Sequence, residues 1–154
     1  MSVHATDLEE STRFYVELFG MEQIPAPNFP EVVVVWLKAG DQQLHLFQRD
    51  VDAPAAHHFG LDVEDFAAVY RKAKEMGVLD AYAPQGRSIR SHPAGWVQMY
   101  IRDPDGNLVE IDCPDVTALP EDLQAEIPSL DDDQLQVGDE RTATLYTSQA
   151  VPSG

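Results

Sequence analysis

An α+β fold made of two copies of a strand–helix–three-strand (βαβββ) unit is what this sequence predicts, and three observations predict it. Two stretches, Asp7–Gly20 and Asp65–Gly77, each open on Asp, close on Gly and carry apolar residues at helical spacing. Each is preceded by a short strand-like run and followed by three more. The last two runs of each set are joined by a turn, around Gly40-Asp41 in the first copy and at Asp103-Pro-Asp-Gly106 in the second.

The elements follow in order. Ser2–Ala5 reads as the opening strand. Asp7 is a good N-cap, because its carboxylate can accept the orphan amides of the first turn, and Glu10 stands at capping-box spacing. Leu8, Thr12, Tyr15 and Phe19 form the expected apolar stripe, and Gly20 can take the left-handed conformation that ends the helix. Strands are expected at Met21–Ile24, Glu31–Lys38 and Gln43–Gln48, with a loop marked by Pro25, Pro27 and Pro30. In the second copy His58–Val63 is the opening strand, and Phe66, Val69, Tyr70, Ala73 and Met76 give the helix stripe. Leu79–Ala83, Trp96–Arg102 and Asn107–Asp112 complete it, the Asp-Gly between alternating runs being a hairpin signal. The organisation is therefore a first module over residues 1–49, a linker over 50–56, a second module over 57–114 and an acidic tail over 115–154. Beyond Pro114 the periodicity fades, so an extended, mobile tail is expected, with Arg141–Thr147 as a candidate edge strand.

Composition narrows the function classes. A hydrophobic content of 44%, with two Trp, five Tyr and six Phe, is enough for a packed core. The longest apolar run, Val32–Leu37, is far shorter than the roughly 20 residues needed to span a bilayer. No charged-then-apolar leader opens the sequence, and its single cysteine, Cys113, excludes an internal disulfide and a Cys-based zinc cage. A reducing, cytoplasmic location is the expectation. The net charge of −17 argues against a nucleic-acid partner, whose phosphates would be repelled. The charge is unevenly spread, with nine acidic residues and only Arg141 as a base after Pro114.

Several residues fall at related points of the repeat. His58 begins a strand seven residues before Asp65; Glu110 lies in the last strand, ten residues after Tyr100. His45 lies in the last strand of the first copy, nine residues after Trp36, and the longer Asp-Pro-Asp-Gly turn accounts for the one-residue difference. Two imidazoles and a carboxylate from separate strands suit Fe2+, Mn2+ or a similar ion and leave positions where a substrate with adjacent oxygens can chelate. The bland alternative for a lone strand His is a hydrogen-bonded, partly buried residue. His57 and His92 are read that way or as exposed. His4, whose repeat counterpart is Asp62, is read as a polar wall residue. Glu110 is harder to dismiss, because Leu108-Val109-Glu110-Ile111 is an apolar strand in which an unpaired carboxylate is costly. No phosphate-cradling Gly loop and no Gly-x-Ser-x-Gly elbow occurs.

The segments Asp7-Leu-Glu-Glu-Ser-x-x-Phe-Tyr-x-x-Leu-Phe-Gly20-Met, His58-Phe-Gly-Leu-Asp-Val-Glu-Asp-Phe66 and Tyr100-Ile-Arg-Asp-Pro-Asp-Gly-Asn-Leu-Val-Glu110 resemble the vicinal oxygen chelate superfamily of glyoxalases, bleomycin-resistance proteins and extradiol dioxygenases. The resemblance implies a cupped mixed sheet, the glyoxalase/dioxygenase fold, around a divalent metal held by the first and last strands of each module. It makes His58 and Glu110 metal ligands and His45 the third. Glyoxalase I has Glu where His45 stands, whereas extradiol dioxygenases use a His as acid/base in the same cup. The leading expectation is thus a dioxygenase-like enzyme for a small vicinal-oxygen substrate such as a catechol. His45 and Tyr100 are its candidate catalytic residues, and His4, Trp36 and Tyr100 its candidate substrate contacts. Fe2+ or Mn2+ is the favoured cofactor, with Zn2+ or Ni2+ as alternatives. A glyoxalase-type lyase or fosfomycin-type thiol transferase is the second reading, and a metal-free drug-binding protein the third. The resemblance also implies a homodimer whose sites draw residues from both chains. Counting seven residues back from Asp7 reaches the position before Met1, so a His ligand is expected there in the natural protein.

Overall fold

Capping decides where both helices begin and end, and the caps form as their sequences suggest. The computed structural model describes residues 1–81 and 86–145. Helix α1 (Leu8–Phe19) starts where Asp7 accepts the Glu9 and Glu10 amides, and stops at Gly20 with φ 65°. Helix α2 (Phe66–Met76) starts where Asp65 accepts the Ala68 amide, and stops at Gly77 with φ 70°. A side chain at either glycine would strain the left-handed backbone. The buried stripe of α2 is close to the expected one. On α1 it is rotated, with Ser11, Phe14, Tyr15 and Leu18 buried in place of Thr12 and Phe19.

Each helix covers one face of a mixed four-stranded sheet. In the first, β1 (Ser2–Ala5), β4 (Gln42–Gln48), β3 (Val34–Ala39) and β2 (Glu22–Ile24) lie in that order. In the second the order is β5 (His58–Asp62), β8 (Leu108–Cys113), β7 (Val97–Arg102) and β6 (Ile89–Ser91). The opening strand of each runs parallel to the last, and the other pairs are antiparallel. Trp36 lies directly opposite His45, and Tyr100 opposite Glu110, so the counts of nine and ten residues mark the same register. One apolar core includes Leu37, Leu44 and Leu46 from the first sheet and Met99, Ile101, Val109 and Ile111 from the second.

Two expectations need correction. Leu79–Ala83 is not the second strand of its module: Leu79 makes only an isolated bridge to Ile101, and residues 82 and 83 lie outside the described residues. The strand that pairs with β7 is Ile89–Ser91, ten residues further on, so the repeat carries an insertion here. The segment after Pro114 is not an extended tail. It forms a 3-10 turn at Val116–Ala118 capped by Asp115, helix α3 (Glu121–Glu126), the single turn α4 (Leu130–Asp133) and a 3-10 turn at Gly138–Thr142. Leu119, Leu123 and Ile127, four residues apart, are buried and hold it to the second module. Its acidic side chains pair with that module's bases, Asp122 with Arg71, Glu126 with Lys74 and Asp133 with Arg87. Ser91 on edge strand β6 donates its amide to Pro128 and bridges Ser129, so the segment covers the sheet edge. The candidate strand from Arg141 is absent as far as Leu145. Arg141 instead binds Asp131 and the Gln136 carbonyl, and residues 146–147 lie outside the described residues. Among the described residues no helix is long and apolar enough to cross a membrane.

The turn between β7 and β8 joins the modules. Asp103, 5% exposed, accepts the Tyr15 hydroxyl at 2.8 Å, the Asn107 amide nitrogens of main and side chain at 2.7 and 2.8 Å, and the Asp105 amide at 3.1 Å. Asp105 takes the Thr6 amide and the Ser11 hydroxyl, while the Asn107 side chain donates to the His4 carbonyl. Arg102 ties the same turn to the linker through the Gly106 and Ala55 carbonyls. Burial pushes the Asp103 carboxyl up, and the bonds from Asn107 and Tyr15 pull it back.

Replacing Asp103 with Ala leaves the fully buried Tyr15 hydroxyl without its acceptor. The expected cost is about 3 kcal/mol in urea unfolding, against about 1 kcal/mol for Tyr15→Phe, which removes the donor instead of stranding it. Equal losses for the two variants would show that the bond does not carry the junction.

Candidate functional site

Strand alternation sorts the second sheet into an apolar and a polar face. Phe59, Leu61, Val109, Ile111, Met99 and Ile101 turn toward α2 and the core. On the other face, β5 contributes His58, Gly60 and Asp62, in register with Leu108, Glu110 and Asp112 of β8. Across β8, Tyr100 of β7 stands opposite Glu110 and Gln98 opposite Asp112; Arg90 of β6 then stands opposite Gln98.

Glu110 is the convergence point. It is 8% exposed, and its Oε2 accepts the Tyr100 hydroxyl at 2.6 Å and lies 3.2 Å from His58 Nε2. The other ring nitrogen of His58, Nδ1, lies 3.1 Å from the Ala56 carbonyl, which can only accept. Nδ1 therefore carries a proton, and Nε2 is turned toward a carboxylate oxygen. Two acceptors facing each other need a proton or a cation between them. Donors each about 2.1 Å from one ion, at a right angle, are about 3 Å apart, close to the observed separation. A backbone carbonyl behind the remote nitrogen is also how metal-binding imidazoles are commonly oriented. His58 and Glu110 thus fit a divalent ion as a two-donor half-site.

The surroundings are acidic. Burial, then the hydrogen bond and charge of Glu110, push the Tyr100 hydroxyl well above its ordinary value, with Arg90 acting the other way; it stays protonated at neutral pH. Burial, the Glu110 charge and hydrogen bond, and Asp62 push Asp112 up to about 7, and its buried Oδ1 has no hydrogen-bond partner. Gly60 lies over this pair, and even a Cβ there would sit 3.6 Å from Asp112 Oδ2. Its lack of a side chain keeps the carboxylates uncovered.

The corresponding face of the first sheet holds His45, Trp36 and Ser2 in register. The His45 and Trp36 rings stack at 4.2 Å and 7°. His45 Nε2 meets the Gln43 side-chain oxygen at 3.0 Å, burial lowers the pKa of the ring, and the buried Trp36 indole nitrogen has no partner. His4, exposed, follows two residues along β1 opposite Phe47. His57 is exposed, while His92 is buried, stacked on Trp96 and bonded to the Ala94 amide.

The structure brings together His58, Tyr100 and Glu110. It does not add His45 to them: among the described residues no group of three or more His, Cys, Asp or Glu side chains gathers to hold a metal. The expected three-ligand set is not assembled within one chain, because β4 and β8 belong to different sheets. Asp112, Gln98 and Arg90 escaped the sequence reading, and Asp62 entered it only as the repeat counterpart of His4. Asp112 was legible, two residues beyond Glu110 on an alternating strand; Arg90 was not, because β6 was expected elsewhere.

The model of the Glyoxalase/Bleomycin resistance protein/Dioxygenase superfamily matches residues 2–111. No curated protein sequence matches the chain. Among solved structures, lactoylglutathione lyase from Agrobacterium tumefaciens is 26% identical with a TM-score of 0.52, covering 73% of this chain and 89% of that one. The oxidase ChaP-H1 is 26% identical with a TM-score of 0.57, covering 73% and 90%. A variant fosfomycin resistance protein from Listeria monocytogenes, complexed with Mn(II), shares the fold at 17% identity and a TM-score of 0.59, covering 71% and 85%.

A carboxyl whose folded pKa is raised adds stability at low pH that is lost as pH rises through the folded value. For Asp112 the window runs from its ordinary 3.8 to about 7. In chelator-treated protein, Asp112→Asn is expected to raise the melting temperature by a few degrees at pH 8 and to leave it unchanged near pH 4. A shift of the same size at both pH values would show that the Asp112 charge is not the cause.

Proposed function

The chain belongs to the glyoxalase/bleomycin resistance protein/dioxygenase superfamily, and we propose that it is a divalent-metal-dependent enzyme acting on a small substrate with two adjacent oxygens, dioxygenase-like and of catechol type. The observation that carries this reading is His58 Nε2 facing the Glu110 carboxylate oxygen at 3.2 Å. His58 and Glu110 would hold Fe2+ or Mn2+. Such an ion would supply Lewis-acid polarisation of the two substrate oxygens.

The chain's own residues supply the rest. Tyr100, kept protonated and aimed by Glu110, orients a substrate oxygen by donating to it. His45, a neutral imidazole at pH 7 because burial lowers its pKa, is the acid/base candidate. Its Nε2 proton faces Gln43, which leaves Nδ1 as the accepting nitrogen. The flat Trp36–His45 stack and the unpartnered indole N–H suit the face and edge of a planar ring. Because one chain keeps these two residue sets apart, the proposal includes a homodimer in which the first module of one copy faces the second module of the other. His45 would then be the third ligand or the base, and His4 would line the wall.

A histidine in place of a carboxylate at the last strand of the first module favours this reading over a glyoxalase-type lyase. The similarity to lactoylglutathione lyase keeps the lyase as the second reading. Methylglyoxal with glutathione, tested beside catechol and oxygen, separates the two.

His58→Ala is expected to weaken Mn(II) binding at least tenfold in calorimetry, whereas Tyr100→Phe keeps the metal and lowers kcat tenfold or more. Unchanged Mn(II) affinity in the His58 variant would overturn the metal site. Light scattering on the eluting protein is expected to give twice 17.1 kDa, and the monomer mass at micromolar concentration would refute the dimer.

A further inference from the structure

Five arginines lie in the described part of the second module and the segment after it, and four pair with a carboxylate: Arg71 with Asp122, Arg87 with Asp133, Arg102 with Asp80 and Arg141 with Asp131. Arg90 is the exception among the described residues. It sits half-buried on β6, on the same polar face as Glu110, and its Nη2 reaches the Gln98 side-chain oxygen at only 3.5 Å. It also donates a hydrogen bond to the Tyr100 hydroxyl, and the bond and its charge both hold that group's pKa down. Removing a guanidinium from part of its water without a counter-charge is unfavourable, and a planar fork of donors is best met by a carboxylate.

Its position sets what that carboxylate can belong to. Strands β8, β7 and β6 are neighbours, so the Arg90 backbone lies about two strand spacings, roughly 10 Å, from that of Glu110, and its side chain reaches back as far as the Tyr100 hydroxyl. Part of that gap is spanned by the arginine side chain itself. A planar ring lying along the face, with adjacent oxygens toward His58 and Glu110, would bring its opposite edge to Arg90.

We propose that Arg90 is a specificity-determining residue that binds a carboxylate on the side of the substrate remote from its two chelating oxygens, so that the preferred substrate class is an aromatic vicinal diol bearing a carboxylate. The proposal rests on the function given above for its placing of the diol, and on Arg90 itself for the anion. The competing role for Arg90 is to balance the Glu110 and Asp112 charges, in which case it would affect every diol alike.

Calorimetry on the Mn(II)-loaded protein under anaerobic conditions, with catechol and with protocatechuate as ligands, separates these roles. The expected result is that protocatechuate binds at least tenfold more tightly than catechol, that Arg90→Gln removes this preference, and that Mn(II) binding stays as in the parent. Arg90→Lys should restore part of the preference, which a folding defect would not do. Equal binding of the two diols by the parent overturns the proposal, as does a loss in Arg90→Gln that falls equally on both. If the parent binds no Mn(II), the metal reading fails on its own. Protocatechuate must then still bind the metal-free parent in preference to catechol, and lose that preference in Arg90→Gln, or the anion site falls as well.

Discussion

The carboxylate of Asp103 accepts hydrogen bonds from Tyr15, Asn107 and Asp105, and through them the second hairpin grips the first helix. A buried ionisable group surrounded by donors is favourable only when every donor arrives together, so this turn makes the position of one module conditional on the other. Asn107 begins the run into β8, and Glu110 stands three residues further on. The same contacts that join the modules therefore fix the start of the strand that carries the site. On the other side, the His4 carbonyl and the Thr6 amide are held by Asn107 and Asp105, so the opening strand is registered against the same turn.

Once β8 is placed, electrostatics shape the polar face. Glu110, Asp112 and Asp62 share a surface with the His58 ring, and Tyr100 is the hydroxyl donor aimed at Glu110. Such a surface is short of positive charge at one end and carries Arg90 at the other. A divalent ion at the first end and an anion at the second would relieve both. The surface of the first sheet is different in kind, aromatic and neutral, with His45 stacked on Trp36.

What the sequence disclosed was what local chemistry decides. Asp7, Gly20, Asp65 and Gly77 mark the helix ends because caps act within a turn, and Asp-Gly marks the second hairpin because its turn requires it. The shared register of His45 and Glu110 was legible because Trp36 and Tyr100 precede them by turn-dependent counts. Strand β6 was missed because the first copy suggested a strand soon after the helix, and an insertion displaced it to Ile89–Ser91. The last segment was misjudged because high acidity masked the four-residue spacing of Leu119, Leu123 and Ile127, whose burial is decided by a distant partner. Whether His45 meets His58 depends on how two sheets are arranged in space, which no local pattern encodes.

The segment that runs past Ser91 makes the β6 margin of the second sheet unlike the β2 margin of the first. Strand β6 is flanked by Pro128 and Ser129 of the same chain, while β2 is the outer strand of the first sheet. A sheet with two bare margins can recruit further copies without limit, as growing fibrils do. Here an added strand at β6 would first have to displace Pro128 and Ser129, so that margin is withheld from such growth.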